Sequence, residues 1–263
     1  MVKQSSKVSQ VDPLKINLRQ LMQRLYLNKN YYASIEQRII DSDDSQNRID
    51  PDGKSRDLFN PKEKESYISN NHYILYFLDS LSPSKILDIG CGPGWILSEL
   101  SSDWEKYGVE PNSTMCNYAS SFGEITNNNF EKGIFQKNEF DVVLSHHVIE
   151  HLDDPIVFIE EIKRILNNDG ILILGTPDFD SGCARRFNSN YRLLHDPTHV
   201  SLFSNDSMHR FLRDHNFDII EVEYPYFETE YFNEINLMNL FKINEMSPPF
   251  YGNFMTFFCK NNK

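Results

Sequence analysis

The chain has 263 residues, 40% apolar and 24% charged, which is the balance of an ordinary globular protein long enough for one or two domains. Its 26 Lys+Arg against 38 Asp+Glu give a net charge of −12, which argues against a phosphate-backbone partner; the segments Lys62 to Lys64 and Arg185-Arg186 are too short or interrupted to overrule this. Cys91, Cys116, Cys183 and Cys259 are scattered and make no zinc or disulfide spacing, the N-terminus leads into no apolar signal core, and no apolar run reaches the ~18 residues of a membrane span, so a cytoplasmic location is expected.

In chain order, Leu14, Leu18, Leu21, Met22 and Leu25 repeat at helical spacing and predict an amphipathic helix whose apolar face packs against something. Between Glu36 and Lys64 the chain turns polar and acidic, with a turn at Asp50-Pro-Asp-Gly, and reads as a linker or cover. Glu63 to Leu81 predicts one helix, with Tyr67, Ile68, Ile74, Leu75 and Leu78 for packing, ended by Ser82-Pro83. Residues 1–82 are therefore expected to form a helical N-terminal extension or cap on a domain spanning 83–263.

Ser84 to Trp95, Ser-Lys-Ile-Leu-Asp-Ile-Gly-Cys-Gly-Pro-Gly-Trp, is a buried strand running into a turn with Gly90, Gly92 and Gly94, then a helix from Trp95. Such a turn sits where ligands bind in an open α/β sheet, with the helix N-terminus aimed at the ligand. A dinucleotide fingerprint places its third glycine where this chain has Trp95, and the Gly-Lys-Ser/Thr ending of a P-loop is missing. Lys106 to Glu110 is a second strand. Its closing acid, about 20 residues beyond the glycine turn, is placed to accept hydrogen bonds from both hydroxyls of a ribose.

Pro111 and Asn112 begin a helix reaching about Phe122, and Glu124-Ile-Thr is a short third strand. Phe140 to Leu144 is a strong fourth strand, followed by Ser145-His-His-Val-Ile-Glu-His-Leu-Asp-Asp-Pro. Asp154 and Pro155 form a helix start, Ile156, Ile159, Ile162 and Leu166 a buried stripe, and Gly170 a left-handed stop. Ile171 to Gly175 is the fifth strand. Phe179 to Phe203 reads as a long loop carrying Arg185, Arg186, Tyr191, Arg192, His195 and His199, a length typical of functional loops. Ser204 caps a helix to His215, with Phe203 and Met208 as a staple. Asp218 to Tyr224 and Gly252 to Lys260 predict two closing strands around an aromatic insertion, in which Tyr231 to Ile243 predicts a helix. Asn112-Ser-Thr and Asn205-Asp-Ser are read as helix starts rather than glycosylation sites.

From about Leu81 to Asp178, the Leu87 to Trp95 nonapeptide, Glu110, His-x-x-Glu-His-Leu-x-Asp-Pro and Gly-Ile-Leu-Ile-Leu-Gly-Thr-Pro follow in the order of the class I S-adenosylmethionine-dependent methyltransferases, which this chain resembles. The resemblance implies an α/β, Rossmann-like, seven-stranded, mostly parallel sheet with a C-terminal antiparallel hairpin. It implies S-adenosylmethionine as cofactor, bound by Asp88, Gly90, Cys91, Gly92, Gly94, Trp95 and Glu110, with Asn127 or Asn128 near the adenine and Ser145 and His146 at the fourth strand's end. Methyl transfer is an in-line displacement, so a base is needed only where the nucleophile must lose a proton. His195, in the loop after the fifth strand, is the favoured base, and His151 and His147 are further candidates, sharing a face if residues 148–152 are helical.

Glu150-His151 is similar to the end of a Glu-x-x-Glu-His group associated with a divalent metal in quinone-biosynthesis O-methyltransferases. Here His147 stands in its first place, so no metal ligands are assigned. The resemblance suggests an oxygen acceptor on a small molecule, a sugar or an aromatic intermediate, and no nucleic acid. A cofactor-binding protein without transfer activity and a nicotinamide-dependent oxidoreductase stand as alternatives, and oligomeric state is left open.

Overall fold

The computed structural model describes residues 47–50, 55–196, 198–225, 229–249 and 253–263. The expected helical stripe at 14–25, most of the turn at 50–53, Phe227 and Gly252 lie outside them. Part of the expected linker is ordered after all: β1 (Asn47–Ile49) and β2 (Ser55–Asp57) pair antiparallel. The carboxylate of Asp50 draws this ribbon together by accepting from Nε and Nη2 of Arg56 at 3.2 and 2.7 Å.

The single helix expected over 63–81 is two, α1 (Pro61–Asn70) and α2 (His72–Asp79). Asn71 divides them with φ −118° and ψ 19°, and its side-chain amide donates back to Tyr67 O at 2.8 Å. An amide that offers the backbone a local alternative partner interrupts a helix in this way.

The remaining elements are β3 (Lys85–Ile89), α3 (Trp95–Glu99), β4 (Glu105–Val109), α4 (Ser113–Ala119), β5 (Glu124–Thr126), β6 (Phe140–His146), α5 (Pro155–Ile165), β7 (Leu166–Pro177), α6 (Gly182–Phe187), α7 (Asn205–Asp214), β8 (Phe217–Glu223), α8 (Glu234–Asn239) and β9 (Phe254–Asn261). The sheet has the order β5-β4-β3-β6-β7-β9-β8, with β9 antiparallel to both neighbours and the other pairings parallel. This is the expected seven-stranded Rossmann-like sheet with its closing hairpin. Its order reverses between β3 and β6, the place where open α/β sheets take ligands.

Alternation along the strands splits the core between two faces. Leu87, Ile89, Val143, Leu172, Leu174 and Phe257 pack with residues of α5 and α7. On the other face, Ile86, Val142, Leu144, Ile173 and Phe258 pack with Ile74 and Leu78 of α2 and Ile96 and Leu97 of α3. α1 and α2 thus contribute to the layer packed on this face of the sheet.

Three local expectations need correction. The expected left-handed stop at Gly170 does not form: α5 ends at Leu166 in an extended conformation, and the left-handed residue of the segment is Asp169, with φ 62°, inside β7. Gly170 is required for closeness instead, since a Cβ there would stand 3.0 Å from Asn167 O. The long loop after β7 contains α6 and two short 3₁₀ turns, Asn188–Asn190 and Arg192–Leu194, built around buried Phe187, Tyr191 and Leu193. The helix in the aromatic insertion is only Glu234–Asn239.

Candidate active site

The glycine turn joins β3 to α3. Gly90, Gly92 and Gly94 all hold positive φ, at 69°, 53° and 73°, a conformation that side chains with a Cβ rarely adopt. The turn is pinned to the neighbouring strand by Gly90 N–H donating to Val109 O at 2.8 Å. A Cβ at Gly90 would lie 2.5 Å from Val148 Cγ2, so the segment after β6 rests directly on the turn; a Cβ at Gly92 would meet nothing within 4 Å. The concave side of the turn at Gly92 is open, and Gly90 closes it against β6.

Two acids flank the turn, both buried: Asp88 in β3 and Glu110 just past β4. Glu110 accepts from Gly92 N–H at 2.8 Å and from Asn112 N–H at 2.9 Å, which fixes the carboxylate across the strand ends. Burial, and after it the like charge of Glu110, pushes the Asp88 carboxyl well above the usual range. Ser145, at the end of β6 opposite Ile89, adds a buried hydroxyl with no hydrogen-bond partner among the described residues. Cys91 and Trp95 are buried in the turn and the first turn of α3.

Asn127 and Asn128 differ in their surroundings. Asn127 Nδ2 donates to Glu110 O and Pro111 O, both at 2.9 Å, so it staples the loop that carries Glu110. Asn128 is exposed beyond β5, its Oδ1 accepting from Asn129 N–H at 2.8 Å.

The consecutive histidines after Ser145 pack edge to face, with ring centroids 4.3 Å apart, but take different partners. His146 lies on the α1 side, its Nδ1 3.3 Å from Tyr67 Oη and its Nε2 3.5 Å from Thr256 Oγ1, which is itself 3.0 Å from Tyr73 Oη. The ring lies so close over β7 that a Cβ at Gly175 would stand 2.0 Å from His146 Cδ2. Burial, reinforced by His147, drives the His146 pKa well below that of an ordinary imidazole and keeps the ring neutral. Tyr67 also packs on Trp95, with ring centroids 5.2 Å apart, and so ties α1 to the glycine turn.

His147 has φ 61°, and its Nδ1 sits 3.1 Å from Glu150 Oε1. Only Ile149–His151 forms a short 3₁₀ turn, so His147 precedes it and the shared helical face with His151 does not form. The other Glu150 oxygen accepts from Thr176 Oγ1–H at 3.1 Å. Burial raises the pKa of Glu150, but the hydrogen bond from His147 and the charges of His147, His151 and His199 outweigh it and hold the group at about 2. His151 and His199 turn their Nδ1 atoms to the carbonyls of Thr198 and Leu193, at 3.2 and 2.8 Å, and their rings lie 4.9 Å apart. Glu150, His151 and His199 offer ligand atoms within 4.8 Å of one another, a spacing that can hold an ion. Both carboxylate oxygens of Glu150 already accept hydrogen bonds, so the group is a hydrogen-bonded cluster as it stands. His195 lies apart: it is exposed, with Nε2 2.9 Å from Ser189 O.

The residues that sequence reasoning missed are Tyr67, Tyr73, Thr176 and Thr256, which set the surroundings of the two histidines, and Glu150 as the hub. The signal for Glu150 was available, because a carboxylate inside Val148-Ile149-Glu150 must be paired if it is buried. Nothing local marks Thr176 or Thr256.

A family model described as a methyltransferase domain matches residues 59–222. An uncharacterized methyltransferase of Schizosaccharomyces pombe is 30% identical over 146 residues, covering 45% of this chain and 52% of its own length. The ubiquinone biosynthesis O-methyltransferase of Pelagibacter ubique is 28% identical, covering 48% of this chain and 58% of its own length, so the chain spans between half and three-fifths of these curated relatives. A SAM-dependent methyltransferase from Thermotoga maritima has the same fold, with a TM-score of 0.55 at 21% identity over 75% of this chain and 90% of its own. The cofactor is S-adenosylmethionine, which the two acids, the open glycine turn and the unpartnered Ser145 hydroxyl fit. The chain belongs to the methyltransferase domain family.

Proposed function

We propose that this protein transfers the methyl group of S-adenosylmethionine to an oxygen nucleophile of a small molecule, a sugar or an aromatic intermediate. The observation that carries the reading is the pair of buried acids, Asp88 and Glu110, set on either side of a glycine turn whose Gly92 is open. Glu110 takes the ribose hydroxyls, and Asp88, in β3 just before the turn, borders the cofactor. The backbone from Gly90 to Trp95 and the Ser145 hydroxyl border the methionine end. When bound, the cofactor supplies a methyl group made electrophilic by its positively charged sulfur. The protein's part is to exclude water and to hold the acceptor in line.

Support for a small acceptor comes from the net charge of −12, which disfavours nucleic acid. The aromatic insertion and the segment from Arg185 to His199 supply material for its pocket. Calorimetry with S-adenosylmethionine, S-adenosylhomocysteine and a nicotinamide dinucleotide tests the cofactor half. Binding of the dinucleotide alone would overturn it. Transfer of labelled methyl to a panel of phenols, catechols and glycosides tests the acceptor half. Label appearing only on amines or on carbon would overturn the oxygen assignment, and cofactor binding without any transfer would favour a binding protein.

A further inference from the structure

The histidine that follows β6 has the features of an oriented base. Nδ1 of His147 faces a fully buried Glu150 at 3.1 Å, and Glu150 is itself fixed on its other oxygen by Thr176. A carboxylate that is ionised throughout the neutral range accepts only, so the shared proton sits on Nδ1 and the Nε2 lone pair is presented on the opposite edge of the ring. The imidazole side chain is 23% exposed against 1% for Glu150, so the edge of the pair that reaches out belongs to His147. The next residue, Val148, rests on Gly90 of the cofactor turn, which places the histidine at the switch point between β3 and β6. The positive φ of His147 is a strained choice for a residue with a Cβ, and strain of this kind gathers at functional positions. His146, held between Tyr67 and Thr256, has no carboxylate hydrogen-bond partner among the described residues, and His195 lies on the surface.

We infer that His147, oriented by Glu150, is the general base of the transfer, and that the acceptor is therefore a neutral hydroxyl that must lose its proton to react. The inference rests on the methyltransferase reading and narrows its substrate class. The acceptor's O–H proton passes to Nε2 of His147 as the oxygen bonds to the methyl carbon. The carbon–sulfur bond breaks with its electron pair remaining on sulfur, leaving S-adenosylhomocysteine. The imidazolium, charge-balanced by Glu150, then releases its proton to water.

The test uses the full chain. Nitrogen-15 NMR of labelled histidines, with and without S-adenosylhomocysteine, reads the tautomer directly and needs no acceptor, with the His147→Asn variant assigning the signal. Asn suits this position because it tolerates positive φ. A neutral Nδ1–H tautomer is expected for His147, and an Nε2–H tautomer overturns the dyad. With catechol as a neutral probe and 4-nitrophenol as a largely ionised one, His147→Asn is expected to lower transfer to catechol about 100-fold, to respond to added imidazole, and to retain most transfer to the nitrophenolate. Equal loss on both probes overturns the base role, as does inactivation by EDTA that magnesium reverses. Calorimetry separates the two claims: a wild-type chain that binds no S-adenosylhomocysteine counts against the methyltransferase reading, while the tautomer still decides the dyad.

Discussion

The carboxyl edge of the sheet holds two buried acidic centres that solve the same problem in opposite ways. At the glycine turn, Asp88 is buried beside the like charge of Glu110, and its carboxyl is pushed up. On the far side of β6, Glu150 is as deeply buried but is surrounded by His147, His151, His199 and Thr176, and is held at about 2. At the first centre like charge adds to the effect of burial, and at the second hydrogen bonding and the neighbouring imidazoles overcome it.

The largest effect that can break this contrast is expected from Glu150→Ala. Removing one partner of a buried charged cluster costs about 3–5 kcal/mol, read from denaturant unfolding. A loss comparable to that of a surface substitution would show the cluster to be incidental. Glu110→Ala is expected to weaken S-adenosylmethionine binding by about 10- to 100-fold, the scale of losing hydrogen bonds to a charged group, with the circular dichroism spectrum unchanged. Unchanged affinity in calorimetry would remove Glu110 from the site.

The pH dependence sharpens the same comparison because the two acids have opposite signs. Glu150 has a folded pKa of about 2 against an ordinary 4.5, so its contribution is present above the ordinary value and lost as pH falls between the two. Asp88 has a raised folded pKa, so the ligand-free protein loses stability as pH rises through it. Asp88→Asn is accordingly expected to leave the ligand-free protein at least as stable at neutral pH while weakening cofactor binding. A clear drop in melting temperature would mean that the Asp88 carboxylate is satisfied within the protein. The smallest effect is expected from His195→Ala: stability within about 0.5 kcal/mol of wild type, as for other surface positions, and transfer unchanged. A loss of turnover at unchanged cofactor affinity would return the base role to the loop after β7.

Much of this architecture was readable because it is local. A buried strand running into alternate glycines, an acid at the end of the next strand, and Asp154-Pro155 opening a helix each specify their own conformation within a few residues. Asp154 does cap α5, its Oδ1 accepting from Ile156 and Val157 N–H at 3.1 and 3.2 Å. Ser204 likewise caps α7, in a box closed by Ser207. Where two local rules competed, the sequence reading chose wrongly. At Asn167 to Gly170 the glycine looked like the left-handed residue, but the backbone gave that role to Asp169 and kept Gly170 for a close contact.

Sequence by itself thus determined the strand and helix succession, the glycine turn and its acidic partner, because hydrophobic period, caps and turn residues act over short spans of chain. Only the tertiary structure decided which histidine does what. The partners of His146, Tyr67 and Thr256, lie 79 and 110 residues away along the chain, and Glu150 meets Thr176 across 26. Those pairings follow from placing β9 beside β7 and α1 beside the glycine turn, and from the left-handed backbone at His147, where the chain leaves β6. Two neighbouring histidines with the same chemistry therefore reach different fates, one buried and neutral, the other clasped by a carboxylate.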